Sequence, residues 1–444
     1  MLLAAAARSD AEAVRDLLGD GADPDVAGPD GFSALTGAVA SYEEEIASAL
    51  VDSGADPLLV QPDGTTPLTL AVDGGSPAVV QALLGEDLVL RLSGADRVQA
   101  LGAARTWYTR GAAEELRRRT GSLEPAVSVR VLDGEYNYVD EVTVGGRTVR
   151  AGHGAVLTKL EWAFGISASV DELVGRALRH ADEEHVDAWE ACWVLSRRRS
   201  ERTWSAVVAH HTHPDPARRV FVARYLLILA SPPVGDPYRA REAGDLLYGW
   251  ALREADGAVL ARVLDTYTSY EHPGHERVGL QLADHPGPEV RRQVPYALRR
   301  YEDSAGASPA AQAALLRLVR DPDPWVRTDA CTVGSWGDTP LPEVTDALLS
   351  LTSDPDARIR RGAAEQLAFP KHRTPAAADT LAALTHDEDQ LVRLEAAYGL
   401  AQRDDPRTRQ AIERVGPWGD ESDTVHDHRV NTLWRWERKN PATG

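Results

Sequence analysis

Lysine is nearly missing from this chain of 444 residues. Only Lys159, Lys371 and Lys439 occur, so arginine supplies the other 45 of the 48 basic side chains. With the alanine richness, this reads as the codon bias of a high-GC bacterial genome and says nothing about mechanism. Cysteine is almost absent too. Cys192 and Cys331 lie far apart, and one pair cannot staple a chain of this length, so both are expected as reduced core thiols of a cytoplasmic protein. No run of about 18 apolar residues exists, which excludes a spanning helix. The opening Met1-Leu2-Leu3-Ala4 lacks a basic flank, and Arg8, Asp10 and Glu12 end its apolar run too early for a signal peptide. Nucleophile elbow, phosphate loop, dinucleotide fingerprint and paired CxxC are all missing, so no catalytic residue, cofactor or metal is expected. Positive charge is scarce where it would matter for nucleic acid. Residues 1–90 hold Arg8 and Arg15 against 16 acids, which is −14 of the net −20. Such a surface repels phosphate; the plainer account is that acidity keeps a small solenoid soluble.

What is present repeats. Gly21-Ala22-Asp23-Pro24 recurs as Gly54-Ala55-Asp56-Pro57, and Asp30-Gly31 as Asp63-Gly64, both at a spacing of 33. Ser33-Ala34-Leu35 recurs as Thr66-Pro67-Leu68 in the same register. Apolar faces at Val14, Leu17 and Leu18, at Ile46, Leu50 and Val51, and at Val79, Val80, Leu83 and Leu84 have helical spacing. Asp-Gly supplies hairpin tips between helix pairs. Thr66-Pro67-Leu68-Thr69-Leu70-Ala71 and the two Gly-Ala-Asp-Pro runs resemble the ankyrin family over residues 1–90. The resemblance implies about three helix–turn–helix units, near the lower limit of stability, leaning on the segment C-terminal to them. Thr36 and Thr69 replace the family's usual histidine, and their hydroxyls could bond across repeats.

Residues 91–165 break the period. Helices are expected over 95–120, ending in Arg117-Arg118-Arg119. A small β insertion comes next, at about 126–152, where Val127, Val129 and Val131 alternate with polar residues. A Gly145-Gly146 turn would set Val142 opposite Val149. The insertion reads as an adaptor covering a solenoid end, with a docking platform as the sharper alternative.

A second phrase recurs at 33 further on: Asp321-Pro322-Asp323-Pro324-Trp325-Val326-Arg327, Asp354-Pro355-Asp356-Ala357-Arg358-Ile359-Arg360 and Asp387-Glu388-Asp389-Gln390-Leu391-Val392-Arg393. Val290-Arg291 ends an earlier copy, and weaker copies centre on Val186 and Val220. Each starts a helix, with an aspartate cap and then small residues at Ala330, Ala363 and Ala396 for close helix approach. Arg360-Arg361-Gly362-Ala363-Ala364-Glu365-Gln366-Leu367 and Arg393-Leu394-Glu395-Ala396-Ala397-Tyr398-Gly399-Leu400 resemble the HEAT family in its short, lyase-type form. The resemblance implies stacked helix pairs over 166–440. Its relatives include scaffolds, chromophore lyases and DNA-repair glycosylases, so the fold alone does not choose a function.

The fold class expected is therefore mainly α: an ankyrin array, then a HEAT-like α-solenoid, with a small β element between. Arg291, Arg327, Arg360 and Arg393 share one position per repeat and should form a ladder. Each either pairs with a neighbouring Asp321, Asp354 or Asp387, or forms a ridge for an anion or acidic partner. His210-His211-Thr212-His213 and His426-Asp427-His428 are the histidine clusters, both in proline-flanked or polar loops that offer a metal too few ligands. His180, Asp182, Glu183, Glu184 and His185 read as a solvated helix start, and Gly152-His153-Gly154 as a turn. Trp189, Trp193 and Trp204 read as core, and Trp434 and Trp436 as a terminal capping helix. Candidate partner-binding residues are Asp30, Phe32, Tyr42, Glu43, Glu44, Glu45 and Asp63. The leading expectation is a non-catalytic scaffold for a protein partner, a basic one in its sharper form, with no nucleic acid and no membrane. The alternatives are a HEAT-type enzyme or nucleic-acid-processing protein, and a regulatory or immunity-type factor whose acidic face mimics nucleic acid.

Overall fold

Helices begin where the sequence supplies caps. The computed structural model describes residues 1–180, 182, 184–231, 237–298, 308–336, 342–417 and 427–440. Asp10, Ser33, Thr66 and Ser76 each accept a backbone N–H three residues on. They open helices Ala11–Gly19, Ala34–Ala40, Pro67–Gly74 and Pro77–Leu83. With Leu2–Ala6 and Glu44–Asp52 these make three helix pairs. Val14, Leu35, Ile46, Leu50, Leu68, Val80 and Leu83 share one core, which continues into Leu157 and Leu160 of helix His153–Ala163. The short array thus borrows apolar cover from the segment after it, as its length requires.

The hairpin tips are tied by their aspartates. Asp30 accepts the N–H of Phe32 at 3.2 Å, and Asp63 those of the Thr65 backbone and hydroxyl at 2.9 and 2.6 Å. Adjacent repeats are linked through Gln61, which accepts from Ser33 N at 3.0 Å, and Asp25, which accepts from Asp56 N at 2.8 Å. Thr36 and Thr69 do not perform that linkage. Their hydroxyls bond inside their own repeats, to Ser33 and Thr66. A threonine side chain is too short to leave the cap it helps to form.

Helices Gly94–Arg110 and Ala112–Thr120 lead to an antiparallel sheet in sequence order: β1 Val127–Asp133, β2 Asn137–Val144 and β3 Arg147–Arg150. Gly145 and Gly146 both hold positive φ, and Val142 faces Val149 as that two-residue turn demands. Val142, Val144 and Val149 pack on Trp107 and Leu116.

Two compact units emerge, Met1–Gly235 and Asp236–Gly444. The first ends in helices Val170–Ala177, Val186–Arg197, Glu201–Val208 and Pro216–Ala230. In the second, helices Pro324–Gly334, Ala357–Ala368 and Gln390–Ala401 are capped by Asp323, Asp356 and Asp389, while Ala330, Ala363 and Ala396 are wholly buried. Helix His428–Lys439 closes the unit, with Leu433 inside and Trp434 exposed. Cys192 and Cys331 are free and buried, and burial pushes both thiols up to about 12. Among the described residues no helix is long and apolar enough to cross a membrane.

Candidate functional site

The most densely bonded part of the first unit is the joint between the last ankyrin repeat, the sheet and the first HEAT-like helices. Asp73 lies at the end of the inner helix of the last repeat. It accepts from Trp107 Nε1 at 2.6 Å and forms a two-pronged ion pair with Arg119 at 2.8 and 3.0 Å. Arg119 lies over Trp107 at 4.4 Å, and His153 stacks on the same indole at 4.7 Å. Of the triplet Arg117-Arg118-Arg119, Arg119 thus folds back onto the array, whereas Arg117 and Arg118 turn to Glu114 and Glu115 of their own helix. Glu115 is held down to about 2 by the Arg118 and Arg119 guanidiniums, against the opposing effect of burial. His153 is not in a turn. It is the first residue of its helix, buried, and burial lowers it to about 4.

Asp133, the last residue of β1, reaches the array. It accepts from Ser76 Oγ and from Ala78 N at 3.0 Å, so a strand end caps an ankyrin helix, and it pairs with Arg150 at 2.8 Å. Arg150 in turn covers the ring of Tyr42 at 4.3 Å, while Tyr42 Oη donates to Gly74 O at 3.2 Å. Burial raises the Tyr42 phenol to about 12. Among the candidate partner residues, Tyr42 therefore belongs to the joint. Glu43 accepts from Ser9 Oγ, Glu45 pairs with exposed Arg15 at 2.7 Å, Asp30 and Asp63 hold their tips, and Phe32 is half-buried.

The stretch read as a solvated helix start is only partly so: His185 is buried, His180 and Asp182 are half-buried, and Glu184 is exposed. His185 is the N-cap of helix Val186–Arg197 and bridges to Tyr138 of β2. His180 stacks on it with centroids 3.6 Å apart and planes at 11°. Asp182 and Glu184 both pair with Arg130 of β1, and Glu183 lies outside the described residues. Asp187 is buried, accepts from Ala155 N at 2.6 Å and lies 3.6 Å from His180 Nε2. Burial raises Asp187 to about 7 and lowers His185 to about 3. His185 Nε2 and Asp187 Oδ2 find no hydrogen-bond partner among the described residues. The sheet, contributed from earlier in the chain, causes this burial, which the local sequence could not reveal.

Asp140, His180 and His185 each offer a ligand atom within 4.8 Å of the others. Stacked imidazoles direct their lone pairs along parallel planes, and His185 Nδ1 already accepts the Asp187 N–H at 3.2 Å. A metal ion needs in-plane lone pairs meeting at one point about 2.0–2.1 Å from each nitrogen. The cluster also joins β2 to helix Val186–Arg197, through the Tyr138–His185 bridge and the approach of His180 to Asp140. The other histidines are equally dispersed. His210 faces Asp171, His211 Nδ1 meets Val208 O, and His213 Nδ1 accepts from Asp215 N. His428 packs edge-on to Tyr398, and His426 lies outside the described residues.

Beside that junction runs a groove of about 190 Å³ lined by Glu44, Ala78, Asp133, Glu135, Tyr136, Lys159, Trp189 and Glu190, among others. Trp189, expected in the core, is 39% exposed here, whereas Trp204 is buried. Lys159 is committed, pairing with Glu190 at 2.7 Å and donating to Gln81 at 3.1 Å. Glu44 is raised above its ordinary value by burial first and then by the charges of Asp133 and Glu45.

The arginine ladder is internal. Each arginine is the fourth residue of its helix, and each Nη1 donates to the carbonyls six and five residues before it. Arg291 meets Asp321 at 2.7 Å, Arg360 meets Asp387 at 2.7 Å, and Arg327 reaches Asp354 at 3.8 Å. Arg393, at the end, donates to the carbonyls of Arg414 and Val415. Sequence reasoning missed a further rung in the first unit. Arg219 is fourth in helix Pro216–Ala230 and donates to His213 O and Pro214 O in the same way. The signal was Asp-Pro-x-x-Arg, which centres that copy on Arg219 rather than Val220.

Comparison with known proteins agrees with this architecture. Residues 2–91 match the family model for ankyrin repeats in three copies, and residues 345–416 that for HEAT repeats. Among solved structures, the chain is similar to YibA of E. coli (14% identical, covering 61% of this chain and 93% of that one, TM-score 0.43). It is also similar to an engineered protein (19%, 53% and 94%, TM-score 0.27) and to a chain of the Pds5–Scc1 complex (12%, 96% and 72%, TM-score 0.29). None of the curated proteins searched matches. The chain thus carries ankyrin repeats over residues 2–91 and HEAT repeats over 345–416, and it is mainly α with a small sheet between those two segments.

Proposed function

We propose that this protein is a non-catalytic scaffold that holds protein partners on its repeat surfaces, and that the ankyrin array receives a basic one. One observation carries the reading. Of the 16 acids in residues 1–90, Glu45, Asp56 and Asp73 are those in ion pairs among the described residues, so most of the negative charge is left without a cation. Unneutralised acids on a rigid repeat surface sum into one field that steers and selects a positive partner. Glu43, Glu45 and Asp63, with Asp30 and Phe32 beside them, form the proposed contact set. Two buried free thiols support a reducing, cytoplasmic setting.

The test compares capture by the wild-type protein and a Glu43→Gln, Glu45→Gln, Asp63→Asn variant from lysate of the native host. The reading expects basic proteins to be retained by the wild type, released by salt and lost from the variant at an unchanged melting temperature. Capture that persists in the variant and in about 0.5 M salt would overturn it.

A further inference from the structure

We propose that the groove at the joint is a receptor for an arginine side chain presented by a protein partner. The inference rests on the scaffold reading and adds the residue that is recognised and the place where it docks.

The argument starts from charge. Glu44, Asp133, Glu135 and Glu190 line the groove, with Lys159 as the cation among its lining residues. Lys159 is spent on Glu190 and Gln81, and Asp133 is spent on Arg150, Ser76 and Ala78. Glu44 and Glu135 form no ion pair among the described residues; Glu135 accepts from the Tyr136 hydroxyl, which leaves Glu44 as the acid open to a cation. Glu44 is half-buried and raised by burial first and then by the charges of Asp133 and Glu45, and a cation beside it would offset those two charges. The groove therefore holds more carboxylates than cations from its own chain.

The second part of the argument is shape. Trp189 lies 39% exposed and Tyr136 75% exposed, two aromatic rings on different segments that border the same acids. At about 190 Å³ the groove is below the roughly 300 Å³ at which pockets for drug-sized molecules begin, so it suits one side chain rather than a free small ligand. A planar guanidinium can stack on an indole while its fork donates to a carboxylate. A lysine ammonium offers a point charge and no stacking plane. Arginine is thus the occupant that uses both features. All three sit on regular elements: Trp189 and Glu190 on the helix whose N-cap His185 bridges to β2, and Glu44 at the start of an ankyrin helix.

The experiment is a fluorescence-polarisation titration of the full-length protein with three labelled hexapeptides: alternating glycine–arginine, glycine–lysine and glycine–glutamate. The arginine peptide is expected to bind, the lysine peptide more weakly, and the glutamate peptide not at all. Trp189→Ala and Glu44→Gln should each weaken the arginine peptide about tenfold. Trp189→Phe should restore part of the loss, and Asp52→Asn, outside the groove, should change it less than about twofold. Circular dichroism melting checks that each variant is folded. No binding of the arginine peptide at about 1 mM, or binding unmoved by both groove variants, would overturn the proposal. Host capture separates the two readings. Partners retained by Trp189→Ala and Glu44→Gln but lost from the Glu43, Glu45 and Asp63 variant would leave the scaffold standing and sink the groove.

Discussion

Replacing Gly75 by alanine should loosen the joint on which the candidate groove depends. Gly75 comes directly after helix Pro67–Gly74 with φ 74° and ψ 18°, and Gly152 N donates to its carbonyl at 3.1 Å. A methyl group there would fall 2.0 Å from the Arg150 carbonyl oxygen and 2.4 Å from His153 Cε1. Two costs add. A left-handed alanine costs about 1 kcal/mol in strain. Relieving a backbone overlap costs about 1–3 kcal/mol more, because β3 and the His153 ring must both retreat. The total is about 2–4 kcal/mol. Gly54→Ala is the matched control: its φ is 100°, yet nothing lies within 4 Å of the added methyl, so it should cost about 1 kcal/mol. Repeat proteins need not unfold in one step, so hydrogen exchange read peptide by peptide is a better assay than a single melting point. Gly75→Ala should speed exchange in residues 67–83 and 147–163 together, while Gly54→Ala should act locally. If the two variants differ by less than about 0.5 kcal/mol, the joint is not tightly packed and the reasoning fails.

Further expectations concern protons, rungs and metal. His153 and His185 sit near 4 and 3 in the folded protein, below the ordinary 6.5. The unfolded chain binds their protons first, so the stability they contribute is complete above about pH 6.5 and is lost as pH falls toward 4. His153 alone accounts for at most about 3 kcal/mol, and denaturant midpoints for wild type and His153→Asn between pH 7 and 4 would show it, the variant having the flatter profile. Asp187 runs the other way: raised to about 7, it loses stability as pH climbs from 4 through 7. Asp187→Asn should therefore gain on the wild type at pH 8 and not at pH 4, and equal gain at both would refute the assignment. In the ladder, Arg360→Ala strands Asp387 and should cost about 3 kcal/mol by denaturation, while Arg327→Ala, whose partner is 3.8 Å away, should cost about 1; equal losses would mean the close pairs carry nothing special. Dialysed protein should hold substoichiometric zinc by elemental analysis, and one zinc per chain lost on His180→Ala would show that the stacked rings can open to coordinate it.

The periodic parts of the molecule were legible because a repeat protein is nearly one-dimensional: each unit's fate is written in itself and its neighbour. Cap, apolar stripe and close-approach alanine recur at fixed spacing, so the helices, the Gly-Gly hairpin and the ladder all came from local chemistry. The ladder shows the limit as well as the strength. Its aspartate accepts the N–H of the residue two places on, as Asp321, Asp354 and Asp387 do. A neutral imidazole nitrogen can accept the same bond, and His213 and His285 do so at 3.0 and 3.1 Å. A histidine that looked like a metal candidate was therefore a repeat position in disguise. These turns are held together by acceptor geometry, which aspartate and histidine share, and not by residue type.

The joint had no such period to betray it. Asp73, Trp107, Arg119, Asp133, Arg150 and His153 come from separate elements, and each is unremarkable in its own stretch of sequence. Their meeting is a consequence of where one period ends and another begins. The ankyrin core runs on into helix His153–Ala163, with Val80 and Leu83 in one cluster with Leu157 and Leu160, and side chains that bond in several directions at once surround it. Arginine, aspartate and tryptophan do this, and the arginine-rich composition supplies the first. The joint also leaves apolar surface exposed beside it. Trp189 is the case in point. At helical spacing it reads as core, and in an uninterrupted solenoid a preceding repeat would cover it. Here helices His153–Ala163 and Val170–Ala177 come before it, β2 meets its N-terminal end through Tyr138 and His185, and the indole borders an acidic groove. The place where the sequence pattern breaks is thus also where an exposed indole and several carboxylates come together, beside the acidic array rather than in place of it.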